Sequence, residues 1–244
     1  MPVVIPWRPL SFDLMYSCPV RVRNFGLSVV ALAGLPFTST AISHQVADGS
    51  AGAAAQIFAD AKQSTTRAKD FHVLGSFNSS GFAEILNLKV SPRGGGGTVQ
   101  LSDVTLSIIL AAGNLYSKAN EKAWQFLGAS KQMAELMANK WIREALASPE
   151  YSFAQFAESA QLVRTLTSGI SGLAELRGTT TVGGQRALVL TDSEHDKIYV
   201  ASVGTPYLLR FQGGGDGSSG SISFSGFGHS SVPTAPAHWI SLPK

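Results

Sequence analysis

The chain has 244 residues, of which 44% are hydrophobic and only 14% charged, with a formal net charge of +3, 25 glycines and a single cysteine. That length holds one large domain or two small ones with a sizeable core. A lone cysteine excludes an intramolecular disulfide and the usual cysteine-based zinc spacings. So small a basic excess is not the footprint of a nucleic-acid binder. High hydrophobicity with low net charge argues against a disordered chain.

Residues 1–43 read as an export leader. Arg21 and Arg23 precede an uncharged run of 13 residues, FGLSVVALAGLPF at 25–37, and small residues follow from Thr38 to Ser43. Basic, apolar and small-residue regions in that order make a secretory signal. Ser39-Thr40-Ala41 and Ala41-Ile42-Ser43 both fit a cleavage site, and both Met1 and Met15 fit as starts. The apolar run is shorter than the roughly 20 residues that span a bilayer. Cleavage would leave 16 basic and 15 acidic residues, a net charge of +1, and would remove Cys18.

After a short tail at 44–50, the spacing of Ala54, Ile57, Phe58 and Ala61 predicts an Ala-rich helix over 51–68. Strand patterns follow at 71–77 and 82–90 around the turn cluster Asn78-Ser79-Ser80-Gly81. The glycine run 94–97 reads as a flexible hairpin loop leading to strands at 98–102, 104–112 and 115–118. Short helices are expected at 121–127 and 131–138, and Trp141-Ile142 is a short strand or connector. Pro149 opens a helix whose stripe is Phe153, Phe156, Ala157, Ala160 and Val163, and Gly169 stops it. A second set of strands lies at 174–182, 185–191, 197–203, 207–212 and 221–227, with Gly183-Gly184 as a hairpin turn. Residues 44–229 thus form one domain, and 230–244, with Pro233, Pro236 and Pro243, an irregular tail.

Local hairpins without β-α-β units indicate an α+β class with an antiparallel sheet. Two stretches, 105–110 (TLSIIL) and 187–190 (ALVL), are apolar on both faces. A sheet curved over helices, or around an apolar cavity, would account for that, because an open antiparallel sheet normally wets one face.

Motifs for catalysis are missing: there is no Gly-x-Ser-x-Gly elbow, P-loop, His-Glu-x-x-His or dinucleotide fingerprint. A hydrolase would need His72, His195 or His229 to meet a hydroxyl and an acid. Glu194-His195-Asp196 reads as a polar turn, and the lone Asp216 in the 213–220 loop supplies too few oxygens for calcium. No cofactor or metal is implied. Met133, Met137, Phe153 and Phe156 fit either ordinary helix-to-sheet core or the lining of a lipid pocket.

Several segments in order resemble one family. They are GTVQL at 97–101, GNLYSK at 113–118 leading to Trp124, NKWI at 139–142, and GTTTVGGQ at 178–185. LVLTD at 188–192, IYVA at 198–201, GTPYLLR at 204–210 and FSGF at 224–227 continue the series. Together they make residues 50–228 similar to the actinobacterial LppX/LprA/LprF/LprG lipoproteins, which share the fold of the periplasmic LolA/LolB carriers. The resemblance implies a curved antiparallel half-barrel with helices packed in its concave face. It also implies a non-enzymatic, exported lipid-binding or lipid-transfer protein of the cell envelope. Its partners would be the acyl chains of lipids or lipoglycans and, transiently, a membrane surface, and it would act as a monomer. The cavity is expected from Leu86, Leu88, Ile108, Leu110, Met133, Met137, Phe153, Phe156, Leu188, Leu190 and Phe211. The family's anchoring lipobox ends in cysteine, whereas Leu35 follows Leu32-Ala33-Gly34 here. The chain is therefore expected free, or tethered by an uncleaved signal. The alternative is an envelope interaction module of the same fold with a filled core.

Overall fold

The computed structural model describes residues 42–79, 82–145, 156–168, 170, 172–173, 175–213 and 218–241. The basic and apolar regions of the expected leader, Phe153 and the Pro149 helix start lie outside them. Among the described residues no helix is long and apolar enough to cross a membrane.

Helix α1 (Ile42–Arg67) starts earlier than expected, so 44–50 is helical and not a tail. The segment has no proline and seven alanines, the best helix former, enough to carry the helix through Gly49 and Gly52. Next come β1 (Phe71–Ser79), β2 (Phe82–Ser91), β3 (Gly94–Leu101), β4 (Val104–Ala111) and β5 (Asn114–Ala119). Two short helices follow, α2 (Glu121–Phe126) and α3 (Lys131–Met137), and then β6 (Ile142–Ala145). Both helices start where the sequence puts them, because Asn120 and Ser130 cap the backbone N–H groups of Ala123 and Met133. Helix α4 (Ser159–Thr167) precedes β7 (Glu175–Val182), β8 (Gln185–Thr191), β9 (Lys197–Ala201), β10 (Leu208–Gly213) and β11 (Ser218–Ser225). The tail adds β12 (Ile240–Ser241), a short parallel partner for β6, so it is not irregular throughout.

The twelve strands among the described residues form one sheet in the order β12-β6-β5-β4-β3-β2-β1-β11-β10-β9-β8-β7. Two sequential sets are joined by β1 against β11, from His72 opposite Ser225 to Ser79 opposite Ser218. The sheet is open and curled. Its inward row can be followed across the register through Ile240, Ile142, Ser117, Ile108, Gly97, Leu88, Val73 and Phe224. Ala54, Phe58 and Ala61 of α1, Trp124 of α2, Met137 of α3 and Leu162 of α4 share one core with that row. The helices therefore sit in the concave face, an α+β half-barrel as expected.

Three local expectations change. The glycine run is not a loop but the start of β3. A Cβ on Gly96 would lie 2.2 Å from the Ile108 carbonyl oxygen, and one on Gly97 2.0 Å from that of Asn87. Only bare backbone fits between β2 and β4 there. A Cβ on Gly95 would also meet the Ala157 carbonyl oxygen at 2.8 Å, so the chain before α4 rests directly on β3. Secondly, Phe156 and Ala157 precede α4 instead of sharing its stripe. The Glu158 carboxylate accepts from the N–H groups of Ala160 and Gln161 and starts the helix at Ser159.

Thirdly, the two-sided apolar pattern at 187–190 has a local origin. Ala187, Ala201, Leu209 and Val182 make a second small cluster under Tyr199, Tyr207 and Phe227. The rings of Tyr207 and Phe227 stack at 4.0 Å, and Phe227 also meets Phe71 of the main core at 5.6 Å.

Candidate functional site

Helix α1 presents two stripes. The first, Ala54, Phe58, Ala61 and Thr65, continued by Ala68 just past the helix end, is buried against the sheet. Its anchor is polar: the Thr65 hydroxyl oxygen accepts the buried Leu208 N–H of β10 at 2.9 Å. The second band, Ala55, Phe58, Ala59, Lys62, Gln63, Thr66 and Arg67, repeats at three- and four-residue steps and covers about half the helix circumference, with Phe58 at one edge and Arg67 at the other. With Leu173 it lines an open groove of about 470 Å³. The floor is apolar, formed by Phe58, the two alanines and Leu173. The rim carries two cations, with the Lys62 ammonium 5.4 Å from the centre of the Phe58 ring. Phe58 belongs to both stripes, so the groove floor is continuous with the main core.

The sequence-derived cavity residues lie elsewhere. Leu86, Leu88, Ile108 and Leu190 are 0% exposed and Met137 is buried, all in the main core. Leu110, Met133, Phe156 and Phe211 are half-buried against that core, and Leu188 is half-buried on β8. Phe153 lies outside the described residues. The half-barrel thus brings most of the set to one face, but none of them lines the α1 groove. The groove was missed because alanines spaced along a helix read as packing. The signal available was Lys62 one turn after Phe58 on the same helix face.

Two further polar features belong to the interior. The Ser117 hydroxyl, in the inward row between Ile108 and Ile142, and the Trp124 indole N–H are buried without a hydrogen-bond partner among the described residues. Unpaired buried polar atoms are costly. Glu84 stands on the inward row two residues before Leu86, opposite Leu101, and burial pushes its carboxyl above the usual range.

Three other titratable groups make local contacts. Asp192 accepts the N–H groups of Glu194 and Asp196 at 3.0 and 2.9 Å, which builds the polar turn around His195, and burial raises its pKa. His72 pairs with the Asn87 amide oxygen at 2.8 Å. The hydrogen bond from Lys122 holds the exposed Asp103 carboxyl below the usual range. No three His, Cys, Asp or Glu side chains gather at a metal-holding distance among the described residues.

No family model matches this chain, and no curated protein matches it. Among solved structures it is similar to LprF from Mycobacterium bovis, with 12% identity, a TM-score of 0.47, and coverage of 76% of this chain and 98% of that one. The Mycobacterium tuberculosis lipoprotein LppX gives 14% identity and a TM-score of 0.46, over 75% of this chain and 99% of that one. An uncharacterized conserved protein from Thermus thermophilus gives 10% identity and a TM-score of 0.38, over 78% and 98%.

Proposed function

We propose that this chain is an exported, non-enzymatic lipid-binding and lipid-transfer protein. The observation that carries the reading is the α1 groove: an apolar floor continuous with the core, rimmed by Lys62 and Arg67. An acyl chain gains about 0.8 kcal/mol for each CH₂ taken out of water, so binding needs no catalytic group. The two cations suit an anionic or strongly polar headgroup. Deeper chains would reach Leu110, Met133, Phe156, Phe211 and then Leu86, Leu88, Ile108 and Leu190 when α1 lifts from the sheet. The protein would act as a monomer and touch a membrane only in passing.

A fluorescent fatty acid titrated into the protein tests this reading. Saturable binding is expected, with affinity falling about tenfold or more when Lys62 and Arg67 are replaced by Glu. Absence of saturable binding would overturn it.

A second reading has an observation of its own. Leu86, Leu88, Ile108 and Leu190 have no surface that water can reach. A half-barrel filled in that way suits an envelope interaction or assembly module. Protein purified from its own host and found free of lipid, together with no fatty-acid binding, would favour it.

A further inference from the structure

On the convex face, the sheet edge formed by β5, β6 and β12 collects aromatic rings and cations. Tyr116 of β5 stands opposite Arg143 of β6 in the register. Trp239, which leads into β12, packs edge-on against Tyr116 at 5.6 Å, and the Arg143 guanidinium lies 5.6 Å from the centre of the Trp239 ring. One step along, the Lys118 ammonium lies 5.9 Å from the centre of the Trp141 ring. Lys140 precedes Trp141 and donates to the Leu136 carbonyl at 2.7 Å, which ties the edge to the last turn of α3. Trp239 is 42% exposed.

Charge separates this region from the rest. Residues 114–145, from the start of β5 to the end of β6, hold five basic and three acidic side chains, net +2, whereas the rest of 44–244 holds eleven basic and twelve acidic, net −1. Lys122 pairs with Asp103, and Lys131 with Glu135 at 3.9 Å. Lys118, Lys140 and Arg143 have no carboxylate partner among the described residues. Tyr116 is buried and backs this edge, while indole rings set among Lys and Arg match the boundary of a bilayer, where the ring body meets acyl chains and the cations meet phosphate.

We propose that this edge is a docking surface for an anionic lipid bilayer. The choice of a bilayer rests on the lipid reading above. Trp239 and Trp141 enter the interfacial layer, and Lys118, Lys140 and Arg143 hold lipid phosphates. Docking would present the carrier to a membrane without an acylated cysteine.

The test is co-sedimentation of the full chain with vesicles of phosphatidylcholine alone, and of phosphatidylcholine mixed equally with phosphatidylglycerol. The readout is the extra binding that phosphatidylglycerol confers, so any anion-independent background cancels. Lys118→Glu/Lys140→Glu/Arg143→Glu should reduce that increment at least about tenfold. Lys69→Glu/Lys89→Glu/Arg93→Glu, with the same charge change on other exposed side chains, should reduce it less than twofold. Trp239→Ala alone should weaken it with no change in net charge. Equal losses in the two triple variants would overturn the proposal, as would an unchanged increment in the first. Equal competition by a soluble neutral polysaccharide would mark the edge as a sugar-stacking surface and also overturn it. Fatty-acid binding without vesicles should be unaltered in the first triple variant. A phosphatidylglycerol increment in a protein that binds no fatty acid would support docking while overturning the carrier reading.

Discussion

The sealed sheet centre and the open α1 groove are built from similar apolar residues but behave oppositely. At the centre, Leu86, Leu88 and Ile108 pack with no solvent-reachable surface, next to a glycine stretch where neighbouring strands leave no room for a side chain. Along α1, alanines replace larger residues at the groove floor, and the adjoining positions are Lys62 and Arg67. Side-chain volume, more than hydrophobicity, decides which apolar surface stays available. In this fold the centre is closed to solvent and the α1 face is the part left open.

The sharpest way to break that contrast is to truncate the centre. Leu88→Ala should cost about 2–5 kcal/mol of unfolding free energy, read by denaturant titration, because the cavity cannot collapse against a fixed register. A cost below about 1 kcal/mol would mean the centre is already loose. Gly96→Ala should cost about 1–3 kcal/mol, since its Cβ would meet the backbone of β4. The same substitution at Gly113, where nothing lies within 4 Å of the added Cβ, meets only backbone strain at φ +73° and should cost less.

The groove predicts the reverse pattern. Ala59→Trp, at an exposed groove position, should move stability by no more than about 0.5 kcal/mol while cutting fatty-acid affinity severalfold. A variant that loses stability but keeps affinity would place the binding surface elsewhere. The smallest effect sits at the rim of the centre. The Glu84 carboxyl is raised by burial, so the folded chain holds its proton more tightly than the unfolded chain. Stability should therefore fall as pH rises from the ordinary glutamate value through the raised one. Glu84→Gln should remove that part of the slope, and an unchanged stability–pH profile would show that Glu84 is fully solvated.

Much of the fold was legible because it is written in local chemistry. Gly183 and Gly184, both at positive φ, close the β7–β8 hairpin, and the caps at Asn120 and Ser130 place α2 and α3. Which face of these strands points inward was settled only by the register, which puts Val73, Leu86, Leu88 and Val99 in the core. What escaped was set by distant partners. Glycine disfavours strands, so 94–97 reads as a loop until β2 and β4 are known to close on it from both sides. The junction of β1 with β11 joins residues more than 130 positions apart and has no local signature. Apolar residues at 187–190 suggested a covered cavity, yet on one face they serve a second cluster under Tyr207 and Phe227. The groove escaped for a related reason: α1 had to be seated on the sheet before one could tell which stripe it leaves open.

The most direct measurement of the central claim is photocrosslinking with a diazirine-bearing fatty acid, followed by peptide mass mapping. Labels concentrated on residues 55–67 and around Leu173, competed away by unlabelled fatty acid, are the predicted result. Labels scattered without competition, or none at all, would contradict the account.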